Sequence, residues 1–255
     1  MDRIVYTAAG GAARTLEAQA ALANNLANAD TTGFRAQLAA YRAVPVNVPD
    51  APQPGTRVLT ATTTGASLMA HGAIHTTGRV LDVAVQGDGW IAVQTPQGEA
   101  YTRAGSLQMN PSGELVTSQG WPVLSRGGGP IVIPPRAHIH ISRHGGVNSI
   151  APGETVRDIA RLGNIKLVNP DPRTLVRGDD GLFRIPGPNG GFVAAPTDPR
   201  VQIKDRALEG SNVSPTAQMV GLIQNARSFQ MQMSVIKQAS ANAQSANAIL
   251  GPAGN

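Results

Sequence analysis

The residues of this chain that could do chemistry are its histidines and one pair of aspartates. His138 and His140 alternate with isoleucines, so on a strand they would share one face, a spacing that can serve a metal ion. His144 follows shortly after, but no cysteine or carboxylate lies nearby to complete a set of ligands. We therefore interpret these histidines as the solvent face of a strand whose isoleucines point inward.

The other candidate groups also favour a structural interpretation. His71 and His75 have a spacing that would matter on a helix, but Gly72 and its irregular surroundings argue against a helix there. Asp179 and Asp180 precede a glycine, where aspartate bonds its own backbone in a turn. The phosphate-loop, HExxH and GxSxG motifs are absent, and the single Gly-Asp-Gly run lacks the third glycine of a dinucleotide fold. We expect no enzymatic activity, no cofactor and no metal site.

Composition excludes further classes of protein. The chain has no cysteine, so disulfides and thiol chemistry are excluded. Its net charge is +5, yet only 15% of its residues are charged, against roughly 25% in ordinary soluble domains. With nine aromatic residues and no Lys/Arg cluster larger than two, we expect no nucleic-acid partner. No apolar run approaches the ~18 residues of a membrane span, so we expect no membrane insertion.

The elements that must position these residues show three types of sequence pattern. Residues 2–29 carry apolar or alanine side chains at spacings of three and four, which predicts a helix. Its asparagines, Asn24, Asn25 and Asn28, are mediocre helix formers, so we expect them to bond to groups outside the helix. Residues 36–80 are rich in proline and threonine and predict an extended connector.

The middle of the chain alternates short apolar runs with turns. Leu81, Val83 and Val85 would share one strand face, and Gly-rich or Asn-Pro turns recur at short intervals up to about residue 204. Helical patterns between the runs are missing, so the sequence favours an antiparallel sheet over a parallel one. We expect Trp90 and Trp121 to fill the core of this β region.

The last section carries a heptad pattern that predicts a long helix. Ser214 is a suitable cap and Pro215 a suitable first helical residue. A repeat of 3.5 residues stays on one face only when the helix supercoils left-handedly with a partner. The positions spaced alternately by three and four are Met219, Leu222, Ala226, Phe229, Met233, Ile236, Ser240, Ala243, Asn247 and Leu250.

The charge pattern of this helix indicates what surrounds it. Arg227 and Lys237 are its only charged residues between positions 216 and 250, and its outer face is rich in amides and hydroxyls. Such groups can be buried without the cost of an unpaired ion, so we infer that both faces are covered in the assembled state and that the terminal helices fold on assembly. The alternative is an ordinary intramolecular helical hairpin against the β domain.

Together these textures predict an α+β protein whose N- and C-terminal helices pair as a coiled coil beside a central antiparallel all-β domain. The predicted domains are an inner coiled-coil domain of residues 1–35 and 205–255, an extended connector of residues 36–80 and a β domain of residues 81–204.

Several stretches of the chain resemble one known family. They are MDRIVYTAAGGA at the start, ANNLANADTTGFRAQLAAYRAVPV from residue 23, LDVAVQGDGWIAVQ from residue 81, AYTRAGSLQMNPSGELVTSQGWPVL from residue 100, and EGSNVSPTAQMVGLIQNARSFQM from residue 209. This combination resembles the flagellar basal-body rod family along the whole chain. The residues that match its terminal signatures are Asn24, Asn25, Leu26, Ala27, Asn28, Gly33, Phe34, Ser211, Asn212 and Val213.

The resemblance implies a structural subunit of the proximal rod, part of the axial drive shaft that transmits torque. The implied partners are other rod proteins, copies of the same chain and the flagellar type III export apparatus. The implied location is the rod crossing the periplasm, reached without a cleaved signal peptide. The signature residues and the eight apolar heptad positions, Met219, Leu222, Ala226, Phe229, Met233, Ile236, Ala243 and Leu250, would then form the assembly interface. The alternatives are a distal rod subunit, or a secreted peptidoglycan- or carbohydrate-binding β domain with helical arms.

Overall fold

Two helices stand at the ends of the chain and short strands lie between them in the computed structural model, which describes residues 2–38, 41–45, 58–62, 66–150, 159–188 and 190–250. Helix α1 spans Asp2–Ala27 and helix α2 spans Pro215–Leu250. The predicted α+β class is confirmed. Pairing of the helices as a coiled coil stays a prediction.

The described strands are short, and every ladder between them is antiparallel. The first ten are β1 (Gln37–Leu38), β2 (Tyr41–Pro45), β3 (Val58–Thr62), β4 (Ala66–Ser67), β5 (Ile74–Thr76), β6 (Val83–Gln86), β7 (Trp90–Thr95), β8 (Gly98–Thr102), β9 (Leu107–Met109) and β10 (Leu115–Thr117). The others are β11 (His138–Ile141), β12 (Gly146–Ile150), β13 (Ala160–Asn164), β14 (Leu167–Val168), β15 (Val176–Arg177), β16 (Phe183–Pro186), β17 (Phe192–Val193), β18 (Gln202–Asp205) and β19 (Ala207–Glu209). A short 3₁₀ helix, Pro172–Thr174, precedes β15.

The described residues divide into two compact units. The first, called the helical unit here, takes its residues from 1–29, 36–68 and 213–255, and the second, the β unit, takes its residues from 30–35 and 69–212. The domain boundaries predicted from the sequence, after residues 35, 80 and 204, stay a prediction about folding domains. Within the predicted connector, the described residues form the five short strands β1 to β5.

In the helical unit, α1 and α2 pack against each other, and β2 pairs with β3. Helix α2 begins as predicted: Ala217 N–H donates to the Ser214 hydroxyl (3.4 Å), and Pro215 occupies the first helical position, where no N–H is needed. Helix α1 ends at Ala27, and the side-chain amide of the next residue, Asn28, donates to the Asn24 carbonyl (2.9 Å), one of the last carbonyls of the helix.

The β unit contains one larger sheet and several small ones. The larger sheet has the order β14-β7-β8-β16-β15, with β17 paired to β16, and β11-β12-β13 form a three-stranded sheet. The two-stranded pairs are β9 with β10, β6 with β18 and β5 with β19. The predicted Asn-Pro turn joins β9 and β10, where Gly113 N–H donates to the Asn110 carbonyl (2.9 Å).

Strand β7 separates two apolar clusters of the β unit because successive side chains of a strand point to opposite faces. Ile91 and Val93 enter the larger cluster, while Trp90 and Ala92 enter the smaller one. Trp121 packs, partly buried, against the larger cluster, so both tryptophans fill the core as predicted. Full burial of a side chain such as Ile91 contributes about 1.5–3 kcal/mol, and these clusters are what hold the β unit together.

Candidate assembly interface

One face of α2 is turned toward α1. Its half-buried residues recur at spacings of four and three: Gln218, Leu222, Asn225, Phe229, Gln232, Ile236, Ala239, Ala243 and Ala246. Leu222, Phe229, Ile236 and Ala243 belong to the predicted heptad. Met219 and Ala226 of the heptad are exposed in the single chain, whereas their neighbours Gln218 and Asn225 are half-buried. The heptad as an assembly interface stays a prediction.

The amides on this face bond to α1. The Asn225 side chain donates to the Thr15 carbonyl (2.6 Å), and the Asn25 side chain donates to Gln218 Oε1 (3.3 Å). The helices also come close at Gly11 of α1, where an added Cβ would lie only 3.0 Å from the Gln232 side chain of α2. The two helices therefore meet through glycine, leucine and amide groups. Asn225 and Asn25 each donate a bond across the contact, whereas Gln232 Oε1 is buried without a hydrogen-bond partner among the described residues.

Asn25 is the asparagine of α1 with the fullest set of partners. It is buried, with 3% of its surface exposed, and its side chain donates to the Gln37 carbonyl (2.8 Å) and accepts from the Gln37 N–H (2.7 Å). This two-bond contact joins the helix to strand β1. Asn24 is exposed and Asn28 is half-buried, so the three asparagines have different environments.

The side of α2 that is turned away from α1 exposes five apolar side chains among its polar ones. At 100° per residue its exposed apolar side chains lie away from the residues that contact α1. We call this set the outer face: Met219, Val220, Ile223, Met231 and Val235. Ile223 exposes 56% of its surface and Met231 exposes 63%. Helix α1 also exposes Ile4, Tyr6 and Leu16.

A second group of signature residues meets in the β unit, around a buried carboxylate. Glu209 Oε1 accepts from Arg35 Nη2 (2.7 Å), and its Oε2 accepts from Arg103 Nη1 (2.9 Å). All three side chains are at most 3% exposed. We call Arg35, Arg103 and Glu209 the crossing cluster, because it lies where residues 30–35 and 209–212 pass through the β unit.

Opposing effects set the charge states in the crossing cluster. Burial alone would raise the pKa of Glu209, but the positive charges of Arg103 and Arg35 hold that pKa below its ordinary value. Burial lowers the pKa of the Arg103 guanidinium, and Glu209 opposes this shift. Both guanidinium groups also lie against the ring of Trp90, at 5.9 Å for Arg35 and 5.4 Å for Arg103. Glu209 is therefore ionised and paired at neutral pH.

Gly33 and Phe34 hold the N-terminal segment in this place. Gly33 has a left-handed backbone (φ +69°), and a Cβ there would lie 2.2 Å from the Arg103 carbonyl carbon, so only glycine fits. Its N–H donates to the Glu209 carbonyl (2.8 Å). The buried Phe34 ring lies 4.5 Å from the Arg177 guanidinium, which also donates to the Arg35 carbonyl (2.7 Å).

The remaining predicted interface residues divide between the units. In the β unit, Phe34 and Asn212 are brought together, since Asn212 N–H donates to the Phe34 carbonyl (3.3 Å), and Ser211 is half-buried beside them in sequence. In the helical unit, Val213 is buried, Leu26 and Met233 are half-buried, and Ala27 is exposed. Leu250 ends α2, and its side chain lies outside the described residues.

The histidines and the aspartate pair have the places that the structural interpretation gave them. His138 and His140 are exposed on β11, while Ile141 of the same strand is buried. Asp180 accepts from the backbone N–H of Leu182 (3.1 Å) in its turn. The described residues hold no group of three His, Asp or Glu side chains placed to bind a metal ion. Neither described helix has the length and apolar character needed to span a membrane.

Sequence reasoning did not find the crossing cluster or the amides that contact α1. Arg35 and Glu209 both lie within stretches that carry the family resemblance, and the scarcity of charge in this chain was a signal that could have drawn attention to them. Their pairing across 174 positions of sequence has no local pattern.

Comparison with known proteins matches the chain to flagellar families in three places. The sequence model described as "Flagella basal body rod protein" matches residues 5–35, that of the "Flagellar hook protein FlgE/F/G D1 domain" matches residues 84–149, and that of the "Flagellar basal body rod FlgEFG protein C-terminal" matches residues 204–249.

Curated relatives match over nearly the whole chain. The flagellar basal-body rod proteins FlgF of Salmonella typhimurium and of Escherichia coli are each 45% identical over 255 residues, which cover 98% of this chain and 99% of theirs. The chain belongs to the flagellar basal-body rod protein family. A rod protein FlgG of Agrobacterium fabrum is 30% identical over 84% of this chain and 87% of its own length. The resemblance read from the sequence is thus confirmed.

The three matched regions of this rod-family chain meet in the crossing cluster. Arg35 is the last residue of the N-terminal match, Arg103 lies within the middle match, and Glu209 lies within the C-terminal match. Each region therefore contributes one charged group to a single buried ion cluster.

Proposed function

We propose that this chain is a non-enzymatic structural subunit of the proximal rod of the bacterial flagellum, and that α1 and α2 form its axial contacts. The observation that carries the proposal is the outer face of α2, whose five apolar side chains are exposed in the single chain. Large exposed apolar faces are uncommon on monomeric proteins and mark interaction surfaces. Membership of the rod family supports a rod subunit as the neighbour.

The proximal position is supported by the identities. Relatives named FlgF match at 45% identity, whereas a relative named FlgG, the distal alternative, matches at 30%. As part of the same proposal, the partners are other rod subunits and copies of this chain, and the type III export apparatus delivers the chain to the rod that crosses the periplasm.

In the assembled rod we propose that the helix pair supercoils left-handedly and that the outer face packs on neighbouring helices. The spacing of four and three on the inward face of α2 supports the supercoil. The scarcity of charge supports the second contact, because only Arg227 and Lys237 would have to be paired or kept at the rim. Torque would then be resisted by many helix contacts that are buried in the rod.

The experiment compares two substitutions of the same chemical kind. In a strain without its own copy of the gene, Ile223→Asp on the outer face should greatly reduce the amount of chain in purified basal bodies and abolish motility. Val132→Asp, which changes an exposed apolar residue of the β unit, is the matched control and should assemble. Near-UV and far-UV circular dichroism of the purified variants checks that each is folded.

The outcome separates contacts within the chain from contacts between chains. Leu222 is half-buried on the face of α2 that is turned toward α1, so an aspartate there disturbs the packing of the two helices within the chain. Ile223 lies on the outer face. Normal incorporation of Ile223→Asp would show that the outer face is not an assembly surface. The proposal would then fail.

A further inference from the structure

The crossing cluster ties together the two segments through which the terminal helices join the β unit. Residues 30–35 follow α1 in the chain and residues 209–212 precede α2. One carboxylate, Glu209, accepts from Arg35 of the first segment and, through its other oxygen, from Arg103 of the β unit. Its Oε1 also accepts from the Gly72 N–H (3.0 Å).

Two backbone hydrogen bonds also join these segments close to Glu209. Gly33 N–H donates to the Glu209 carbonyl (2.8 Å), and Asn212 N–H donates to the Phe34 carbonyl (3.3 Å). One bond ends on Glu209 itself and the other begins three residues later, and together they form a short ladder between segments that are far apart along the chain. A ladder of two bonds is too short to persist by itself, since even a whole two-stranded hairpin is marginal in water.

The guanidinium groups make the cluster depend on the charge of Glu209. Arg35 Nε and Nη1 and Arg103 Nε are buried and have no hydrogen-bond partner in the described part of the chain. With Glu209 ionised, two positive charges share one negative charge. With Glu209 neutral, the buried guanidinium groups of Arg35 and Arg103 would face each other without a counter-charge. Arg35, which lies in the segment of residues 30–35, would then be driven toward water.

We propose that Glu209 is a positioning residue whose charge clamps residues 30–35 to residues 209–212, so that loss of the charge releases both segments together while the core of the β unit stays folded. The inference goes beyond the proposed function, because it concerns the isolated chain and holds whatever the chain assembles with. It also assigns a specific role to three charges that come from the three family regions.

Hydrogen exchange on the full-length chain tests this inference. In Glu209→Gln, the Gly33 and Asn212 amides should exchange at least about tenfold faster than in the wild type. The Leu115 amide, which donates to the Ile131 carbonyl (2.8 Å) in the core, should keep its rate. Glu99→Gln is the matched control: it breaks another half-buried pair of the β unit, with Lys166 (2.7 Å), and should leave the Gly33 and Asn212 rates unchanged.

Two results would overturn the inference. If the Gly33 and Asn212 rates do not change in Glu209→Gln, packing alone holds the segments. If the Leu115 rate rises by the same factor, Glu209 supports the whole unit and does not clamp two segments. Should Glu209→Gln fail to fold, Arg35→Gln, which removes the cation that joins residues 30–35 to Glu209, gives the same comparison of Gly33 and Asn212 with Leu115.

Discussion

Replacing Gly33 by alanine tests whether the N-terminal signature glycine is required by its surroundings or only by its backbone angle. The backbone at Gly33 is left-handed (φ +69°), which costs an alanine roughly 1–2 kcal/mol. The added Cβ would lie 2.2 Å from the carbonyl carbon of Arg103 and 2.4 Å from the Ala104 nitrogen. Both are backbone atoms, so no side chain can rotate away.

The cost of the clash can be worked out from these contacts. Relief of a 2.2 Å contact requires a backbone shift of about 1 Å, and overpacking of this kind costs roughly 1–3 kcal/mol. The shift also breaks the Gly33–Glu209 backbone bond, worth about 1 kcal/mol. Together with the backbone angle, we expect Gly33→Ala to lower the free energy of unfolding of the β unit by about 3–6 kcal/mol.

Urea unfolding followed by tryptophan fluorescence measures this change, because Trp90 and Trp121 both lie in the β unit. With a slope of about 2 to 3 kcal/mol per molar urea, the midpoint should fall by roughly 1–3 M. Gly78→Ala is the matched control, since Gly78 also has a left-handed backbone (φ +79°) but nothing within 4 Å of an added Cβ. It should cost only about 1–2 kcal/mol. A difference between the two variants below about 1 kcal/mol would refute the close-approach argument.

Other predictions concern the helices and the buried carboxylate. Asn25→Ala should destabilise the helical unit by about 2 kcal/mol in a far-UV circular dichroism melt, because it removes two bonds to the Gln37 backbone, whereas Asn24→Ala should not. Glu209 has a lowered pKa in the folded chain, so the stability it contributes is present above its unfolded pKa of about 4.3 and is lost as the pH falls through the folded pKa. Glu209→Gln should therefore show a shallower loss of stability in acid than the wild type. Leu222→Asp should block incorporation into the rod, and a motile strain that incorporates it would contradict the seam. Finally, dilute monomer should have less helix than assembled protein, and equal helix content would count against folding on assembly.

The helices were predictable because periodicity and end signals are local properties of sequence. A serine followed by proline fixed the start of α2 at Pro215, and the heptad spacing of Leu222 and Phe229 placed both on the face toward α1. Met219 and Ala226 of the heptad are exposed in the single chain, so their role in the assembly stays a prediction. Asn225 faces α1 because its amide reaches the Thr15 carbonyl, a partner that the sequence of α2 alone does not specify.

The crossing cluster was beyond sequence reasoning for a different reason. A buried ion pair is favourable only when its partners meet, and Arg35 and Glu209 are brought together by the complete topology of the β unit. From the local sequence alone, the simplest interpretation of each charged residue is an exposed side chain in water. The glycine beside Arg35 was a local signal for a turn, but its close approach to the Arg103 backbone also depends on the fold.

The two units use charge in opposite ways, and this contrast explains why a single carboxylate can matter so much. Helix α2 carries two charged residues over its whole length, so its contacts tolerate sliding or exchange of similar apolar neighbours. The crossing cluster has a fixed geometry, because each oxygen of Glu209 has its own guanidinium partner. An apolar replacement of the three charges could keep the stability of the β unit, but it would lose the directional bonds that specify which two segments meet. If α1 and α2 make the proposed axial contacts, helices that adapt to several neighbours and chain crossings that stay fixed would suit a rod built from related but different subunits.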